Sequence, residues 1–294
     1  MTPETDVLLS RLTTIGTGGP ARAFARPASL TELEEALRFA AEGGLSARAV
    51  GLGSNLLAAD AGVDALVLHL SGALAEARVD GDKLIAGGGA TNAVCLHRAR
   101  DAGLGGFEFA CAIPGTAGGG VWMNAGAYGS DWAAILVRAL VATADGTDWL
   151  TPAELGLSYR HSSLRDGHIV AAVEYRLLPR PRDEIASRIA ELVVQRKSTQ
   201  PTNKRTFGSV FKNPSDELGA GRLLESCGLK GFRIGGALIS PKHANFIENA
   251  DGARSADAVA LMAEARRRAN EEYGVELLHE VEFLGTLELP PLGS

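Results

Sequence analysis

Three short stretches of this chain carry residues with which a main chain can grip a phosphate. Gly51-Leu52-Gly53-Ser54-Asn55-Leu56-Leu57 follows an apolar run and sets a glycine turn beside a Ser-Asn pair. Ala112-Ile113-Pro114-Gly115-Thr116-Ala117-Gly118-Gly119-Gly120 places four glycines and a threonine behind a proline, and Asn124-Ala125-Gly126-Ala127-Tyr128-Gly129 follows at once. Glycine lets the backbone approach a ligand, and successive N–H groups can form a nest for an anion. The same residues could instead make a pair of tight turns around a buried strand, Val121 to Met123. The dinucleotide pattern G-x-G-x-x-G fails because Leu56 occupies the third glycine position, and G-x-x-x-x-G-K-[ST] does not occur. Together the three loops point to a large, extended phosphate-bearing ligand.

A second group of segments could supply acid, base or charge. Gly208-Ser209-Val210-Phe211-Lys212-Asn213-Pro214 puts a hydroxyl and a cation on a short apolar strand. Lys242-His243-Ala244-Asn245 follows Pro241, Tyr159-Arg160-His161-Ser162 offers a cation for an anion, and Glu280 stands between His279 and Val281 at the entry to an alternating run. Each has a plain structural reading when taken alone: a strand serine, a solvated turn, a surface ion pair, a carboxylate at a sheet edge. The six histidines lack metal-ligand spacing, and no G-x-S-x-G marks a hydrolase serine. Cys95, Cys111 and Cys227 are odd in number and far apart, so neither a disulfide framework nor a zinc site is indicated. Cys111, beside the glycine loop, reads as a small buried hydrophobe.

The elements that must position these residues alternate along the chain. Ser29-Leu30-Thr31-Glu32 is a capping-box signature for a helix with Leu30, Leu33, Leu37, Ala40 and Ala41 at helical spacing, ended by Gly43-Gly44. Strands are expected at Ala47 to Val50, Ala65 to Leu70 and His168 to Leu178, with hairpin turns at Asp80-Gly81 and Asp145-Gly146. Residues 91–102 and 183–198 read as helices, the second with Glu184 and Arg188 as an i,i+4 pair. Ser255 is placed to cap a long helix with Val259, Met262, Ala265 and Ala269 inward, stopped by Gly274. The whole reads as α+β in two lobes, divided near Arg180-Pro181-Arg182.

Composition bounds the answer. The chain has 294 residues, 46% hydrophobic and 22% charged, with formal charge -6. That suffices for a full core, and the acidic balance argues against a nucleic-acid partner. No apolar run reaches the roughly 18 residues of a membrane span, and the acidic N-terminus lacks a signal-peptide core, so a cytoplasmic location is expected. Glycine stands out, with 36 residues against a typical share of about 7%, and most of them precede residue 131 in separate clusters.

Nearly end to end, these segments resemble the UDP-N-acetylenolpyruvoylglucosamine reductases, flavoenzymes of bacterial peptidoglycan precursor synthesis. The resemblance also takes in Thr17-Gly18-Gly19-Pro20-Ala21 and the stretch from Gly228 to Asn249. The glycine loops alone are similar to the wider group of FAD domains shared with vanillyl-alcohol-oxidase-like (PCMH-type) enzymes; the Ser209 strand and the Lys242–Asn245 segment narrow it. The chain is similar to the shorter, second type of the family.

The resemblance implies a two-lobed FAD-binding domain over 1–181 and an α+β substrate-binding domain over 182–294. It implies FAD held by Gly51, Gly53, Ser54, Asn55, Leu56, Ile113, Pro114, Gly115, Thr116, Gly118, Gly119, Asn124, Gly126 and Ala127. NADPH would reduce the flavin, which would pass a hydride to the enolpyruvyl double bond of a UDP-sugar, with no metal. Ser209 would donate the proton, Arg160 would bind and polarise the enolpyruvyl carboxylate, and Glu280 would complete the charge arrangement. Tyr159, Lys212, Asn213, Lys242, His243 and Asn245 would contact substrate. No nucleic-acid or membrane partner is implied, and the protein is expected to be a monomer or weak homo-oligomer. Three positions depart from the family pattern. Phe207 is bulky where the chain leads into Ser209, Leu238 replaces a glutamine after Gly-Gly-Ala, and His279 stands for a proline before Glu280. Phe207 is expected to alter the approach to the substrate.

Overall fold

The computed structural model describes residues 2–292. The chain folds as two compact units. Among the described residues, the first takes Thr2–Thr5, Ala23–Leu52 and Asp64–Arg196; the second takes Asp6–Arg22, Gly53–Val63 and Lys197–Leu292. The division does not fall at Arg180-Pro181-Arg182. The helix Arg182–Thr199 buries Ile185 and Leu192, Ile189 packs on the first unit's core, and the Tyr128 hydroxyl donates to the Leu192 carbonyl at 3.2 Å. Most of that helix therefore stays with the first unit. On its outer face Arg188 pairs with Glu191, not with Glu184.

The first unit is built on a five-stranded antiparallel sheet. Its spatial order is Gly146–Leu150, Leu136–Thr143, Ile169–Arg176, Lys83–Gly87, Ala77–Asp80. Both expected hairpins are present, closed by the pairs Asp80↔Lys83 and Thr143↔Gly146. The helices Asn92–Asp101 and Ala117–Met123 lie with a cluster of Phe107, Phe109, Trp132 and Tyr175, where the Trp132 indole donates to the Tyr175 hydroxyl at 2.8 Å. Burial pushes the Tyr175 phenol well above its ordinary range, so it stays protonated. A second core of the same unit packs Leu33, Ala36, Leu37 and Ala40 of the helix Leu30–Glu42 on Ala47, Leu66 and Leu68. Ser29 caps that helix as its sequence indicates, accepting from the Glu32 amide at 3.2 Å.

In the second unit a four-stranded antiparallel sheet runs in the order Thr206–Ser209, Phe246–Asn249, Ala237–Ile239, Arg233–Ile234. The helix Ser255–Tyr273 buries Ala258, Leu261, Met262, Ala265 and Ala269 in the core beside it and ends at Gly274, which has φ +65. Its start differs from expectation. Asp60 accepts from the Ser255 and Ala256 amides at 2.9 and 3.0 Å, while the Ser255 hydroxyl donates to the Ala58 carbonyl at 2.6 Å and bonds Thr17. A carboxylate from 195 residues away thus performs the capping. Leu56–Ala58 pairs in parallel with Glu282–Leu284, tying the end of the first glycine loop to the segment after Glu280. Among the described residues no helix is long and apolar enough to cross a membrane.

Candidate active site

In the first unit, Val121–Met123, which could read as a buried strand between tight turns, is instead the end of a helix over Ala117–Met123. Thr116 decides this. Its hydroxyl accepts the Gly119 amide at 3.3 Å, and the Ala117 and Gly118 amides go to the Ala90 and Gly88 carbonyls at 2.8 Å each. These N–H groups are engaged within the protein, so the glycines there serve close packing. A Cβ on Gly120 would lie 2.2 Å from the Trp132 ring, and one on Gly118 would lie 2.9 Å from the Gly88 carbonyl oxygen. Gly119 is different: it is exposed, and an added Cβ would meet only the Thr116 hydroxyl, at 3.4 Å. Packing does not require glycine there; an approaching ligand would.

Ile113 and Gly115 are half-buried and Pro114 is exposed, at the lip of the same loop. Beneath it Asn92, 2% exposed, donates its amide to the Ile113 carbonyl at 2.9 Å, while its Oδ1 has no partner in the protein. Gly51 abuts this loop, since a Cβ there would lie 2.6 Å from Thr116 Oγ1. A backbone-lined lip, an unneeded glycine and an orphaned buried acceptor below fit a large phosphate-bearing cofactor such as FAD.

Asn124 ends the helix Ala117–Met123 in the left-handed region at φ 39 and is 2% exposed. Its side chain donates to the Ser158 carbonyl at 2.9 Å and to Asp131 at 3.2 Å, and accepts from the Ala133 amide at 2.9 Å. Gly126 and Ala127 form a short strand paired with Ser130–Asp131. The Gly126 carbonyl accepts from Arg160 Nη2 at 2.6 Å, and the Arg160 guanidinium lies 5.1 Å from the Tyr159 ring centroid.

The second unit holds Gly53, Ser54, Asn55, Leu56, Ser209, Lys212, Asn213, Lys242, His243, Asn245 and Glu280. Gly53 adopts φ +62, and a Cβ on it would fall 2.0 Å from the Leu12 carbonyl oxygen, so no other residue fits. Ser209 follows Gly208, at φ +82, where the register slips between the pairs Thr206↔Glu248 and Ser209↔Phe246. A glycine-centred bulge of this kind twists a strand and re-aims the next side chain. From Ser209 a chain of contacts runs to Glu280. The Val210 carbonyl accepts the Glu280 amide at 2.8 Å, and the Glu280 carbonyl accepts from Asn55 Nδ2 at 3.1 Å. The unit therefore brings Ser209, Glu280 and Asn55 into one framework.

The Lys242–Asn245 segment is no solvated turn. Asn245, 3% exposed, accepts the Phe211 amide at 2.9 Å and donates to the Phe211 carbonyl at 2.8 Å, so its side chain fixes the backbone just after the strand Thr206–Ser209, and Lys212 lies beyond that strand rather than on it. His243 Nδ1 accepts the Asn245 amide at 3.2 Å, and its ring fills the space over Gly221, where a Cβ would lie 2.6 Å away. Burial, reinforced by the Lys230 charge, holds the His243 imidazole below its usual range. Exposed Lys242 donates to the Lys197 carbonyl. Lys212 is half-buried, and exposed Asn213 accepts the Ala220 amide at 3.1 Å, starting the helix Ala220–Ser226. Phe207 is 0% exposed in the core with Ile15 and Leu57, which corrects the expectation that its bulk alters the approach to the substrate. Leu238 lies half-buried on Ala237–Ile239, and His279 stacks on Phe283 at 4.7 Å.

Two residues without an assigned role in the sequence motifs also join these elements. Thr14 donates to the Gly53 and Thr206 carbonyls at 3.2 and 2.6 Å, joining the first glycine loop to the strand that leads to Ser209. The Ser162 hydroxyl donates to the Trp122 carbonyl at 2.6 Å. Thr14 has no local motif that would flag it, and Ser162 stands in the Tyr159–Ser162 motif without a role of its own there.

A model described as the C-terminal domain of UDP-N-acetylenolpyruvoylglucosamine reductase matches residues 200–284, and one described as an FAD binding domain matches residues 21–149. UDP-N-acetylenolpyruvoylglucosamine reductase 2 of Symbiobacterium thermophilum is 43% identical over 279 residues, covering 94% of this chain and 90% of that protein. The chain belongs to the UDP-N-acetylenolpyruvoylglucosamine reductase family. It is thereby an FAD-dependent oxidoreductase of α+β fold, with an FAD-binding domain. The family's enzyme from Bacillus licheniformis is 41% identical over 281 residues, 94% of this chain and 92% of that one. The crystal structure of UDP-N-acetylenolpyruvylglucosamine reductase (MurB) from Thermus caldophilus aligns with a TM-score of 0.84 at 37% identity, over 96% of this chain and 99% of that chain.

Proposed function

We propose that this protein reduces UDP-N-acetylglucosamine enolpyruvate to UDP-N-acetylmuramate in the cytoplasm, as a step of peptidoglycan precursor synthesis, with NADPH as the electron donor. The observation that carries the reading is the Ser209–Val210–Glu280 framework: a hydroxyl re-aimed by the Gly208 bulge and linked through one hydrogen bond to the backbone of a carboxylate residue. On this reading the first unit supplies most of the flavin-holding residues, and the second supplies Gly53–Leu56 and the proton donor. When bound, FAD supplies the redox chemistry, taking a hydride from NADPH and giving it to C3 of the enolpyruvyl group.

The protein's own residues handle charge and the proton. Arg160 binds the enolpyruvyl carboxylate and draws electron density toward it. Hydride addition at C3 leaves a carbanion at C2, which Arg160 stabilises in its enolate form. The Ser209 hydroxyl gives its proton to C2. A free serine is a poor acid, but the acceptor carbon is strongly basic, and the Lys212 cation three residues on favours the alkoxide that remains. Glu280 completes the charge arrangement. Gly51, Gly53, Ser54, Asn55, Leu56, the Ile113–Gly119 loop, Asn124, Gly126 and Ala127 are the cofactor's neighbours on this reading. Tyr159, Lys212, Asn213, Lys242 and His243 line the substrate, while Asn245 acts through Phe211.

The absorption spectrum of the purified protein is the first test. Flavin bands should be bleached by NADPH without oxygen and restored by UDP-N-acetylglucosamine enolpyruvate. Ser209→Ala should still bleach at the normal rate and recover far more slowly. A colourless protein refutes the flavin reading, and normal recovery in Ser209→Ala removes Ser209 from the proton-donor role.

A further inference from the structure

Arg160 sits at the tip of a two-residue turn closed by reciprocal backbone bonds between Ser158 and His161, each 3.1 Å. Its φ of +52 is a conformation that side-chain-bearing residues rarely hold without help from their surroundings. The help is visible. Three alternate residues of the turn are each bonded to one short segment: the Ser158 carbonyl accepts from Asn124 at 2.9 Å, Arg160 donates to the Gly126 carbonyl at 2.6 Å, and Ser162 donates to the Trp122 carbonyl at 2.6 Å. The segment on the other side is itself rigid, since Asn124 also bonds Asp131 and Ala133, and a Cβ on Gly126 would lie 2.6 Å from the Ser130 carbonyl oxygen. Of the three bonds, the one from Ser162 belongs to a residue with no other assigned task. Ser162 is buried, at 7% exposed.

We propose that Ser162 is a positioning residue for Arg160. Its hydroxyl fixes the exit of the turn to Trp122 and so sets where the guanidinium meets the substrate carboxylate. The inference rests on the carboxylate-binding role given to Arg160 above.

The test uses the flavin-loaded full chain. Binding of UDP-N-acetylmuramate is measured by titration calorimetry, alongside flavin content, melting temperature and the rate of bleaching by NADPH. Ser162→Ala should weaken product binding about three- to tenfold, the effect of one lost hydrogen bond, with flavin content and bleaching rate unchanged. Ser162→Thr, which keeps the hydroxyl, should bind within about twofold of the wild type. In an Arg160→Lys background, Ser162→Ala should add less than about twofold, because the residue it positions is already altered. Full additivity in that background, equal weakening in Ser162→Thr, or a matching fall in flavin content overturns the proposal and leaves Ser162 a structural residue. A wild type that binds no UDP-N-acetylmuramate, or an Arg160→Lys variant that binds it normally, refutes the substrate reading instead, so the two failures are distinguishable.

Discussion

Asn245→Ala removes the side chain that holds the backbone just after the Ser209 strand. The wild-type amide makes two bonds to a single buried residue, accepting from the Phe211 N–H at 2.9 Å and donating to its carbonyl at 2.8 Å. Phe211 is 2% exposed, so alanine leaves two backbone groups without partners and with little access to water. Each orphaned group costs about 1–3 kcal/mol, and the sum is about 2–6 kcal/mol, reduced if the chain relaxes enough to admit water. Urea unfolding followed by far-ultraviolet circular dichroism measures it. Tryptophan fluorescence provides a separate channel, because Trp122, Trp132 and Trp149 all belong to the first unit and report on that unit's side chains. The dichroism midpoint should fall markedly. In the variant that remains folded, flavin recovery on adding enolpyruvyl substrate should slow, since Ser209 lies two residues before Phe211. A stability loss under about 1 kcal/mol refutes the premise that these bonds are buried and irreplaceable.

Three further outcomes follow from other parts of the molecule. Gly51→Ala places a Cβ 2.6 Å from Thr116 Oγ1 and 2.8 Å from its Cγ2, on a buried β-branched residue that cannot swing aside; strain of about 1–3 kcal/mol should lower the ratio of flavin to protein absorbance in the purified variant, and wild-type flavin content would refute it. The Lys83 ammonium beside Glu174, seconded by Arg138, holds that carboxyl below its usual range; because the folded pKa is the depressed one, the stabilisation is full above the ordinary glutamate value of about 4.3 and is lost as pH falls through the folded value. The gap in urea midpoint between wild type and Glu174→Gln should therefore be constant near neutrality and close below about pH 4, and a gap that persists there would count against the ion pair. Burial pushes the Cys95 thiol up to about 12 and also raises Cys227, whereas Cys111 is half-buried, so a thiol reagent should label at most Cys111 in the native protein and all three after unfolding.

Much of the scaffold is written in neighbouring residues. The Ser29 cap, the two hairpins and the Gly274 stop each depend on a few adjacent side chains and on glycine at positive φ, so they could be read directly. The candidate site was legible as a set of residues, through its glycine clusters and the Ser209–Asn213 strand. Its construction was not. Val121–Met123 can be read as a strand between turns and instead ends the helix Ala117–Met123, which Thr116 caps and where Gly120 lets Trp132 lie against the backbone. Ser255 looks like a cap and instead donates to Ala58, while Asp60 accepts the Ser255 and Ala256 amides that open the helix.

By itself, then, the sequence determined which residue types were present for flavin, carboxylate and proton chemistry, and where most helices begin and end. Only the tertiary structure decided that Gly53–Val63 joins the C-terminal unit, that Asn245 serves Phe211, that Phe207 is core, and that Ser162 ties the Arg160 turn to Trp122. The physical reason is distance along the chain. Helix periodicity and turn chemistry act within a few residues and leave a local pattern, whereas a hydrogen bond between residues 34, 40 or 195 positions apart leaves none at either end.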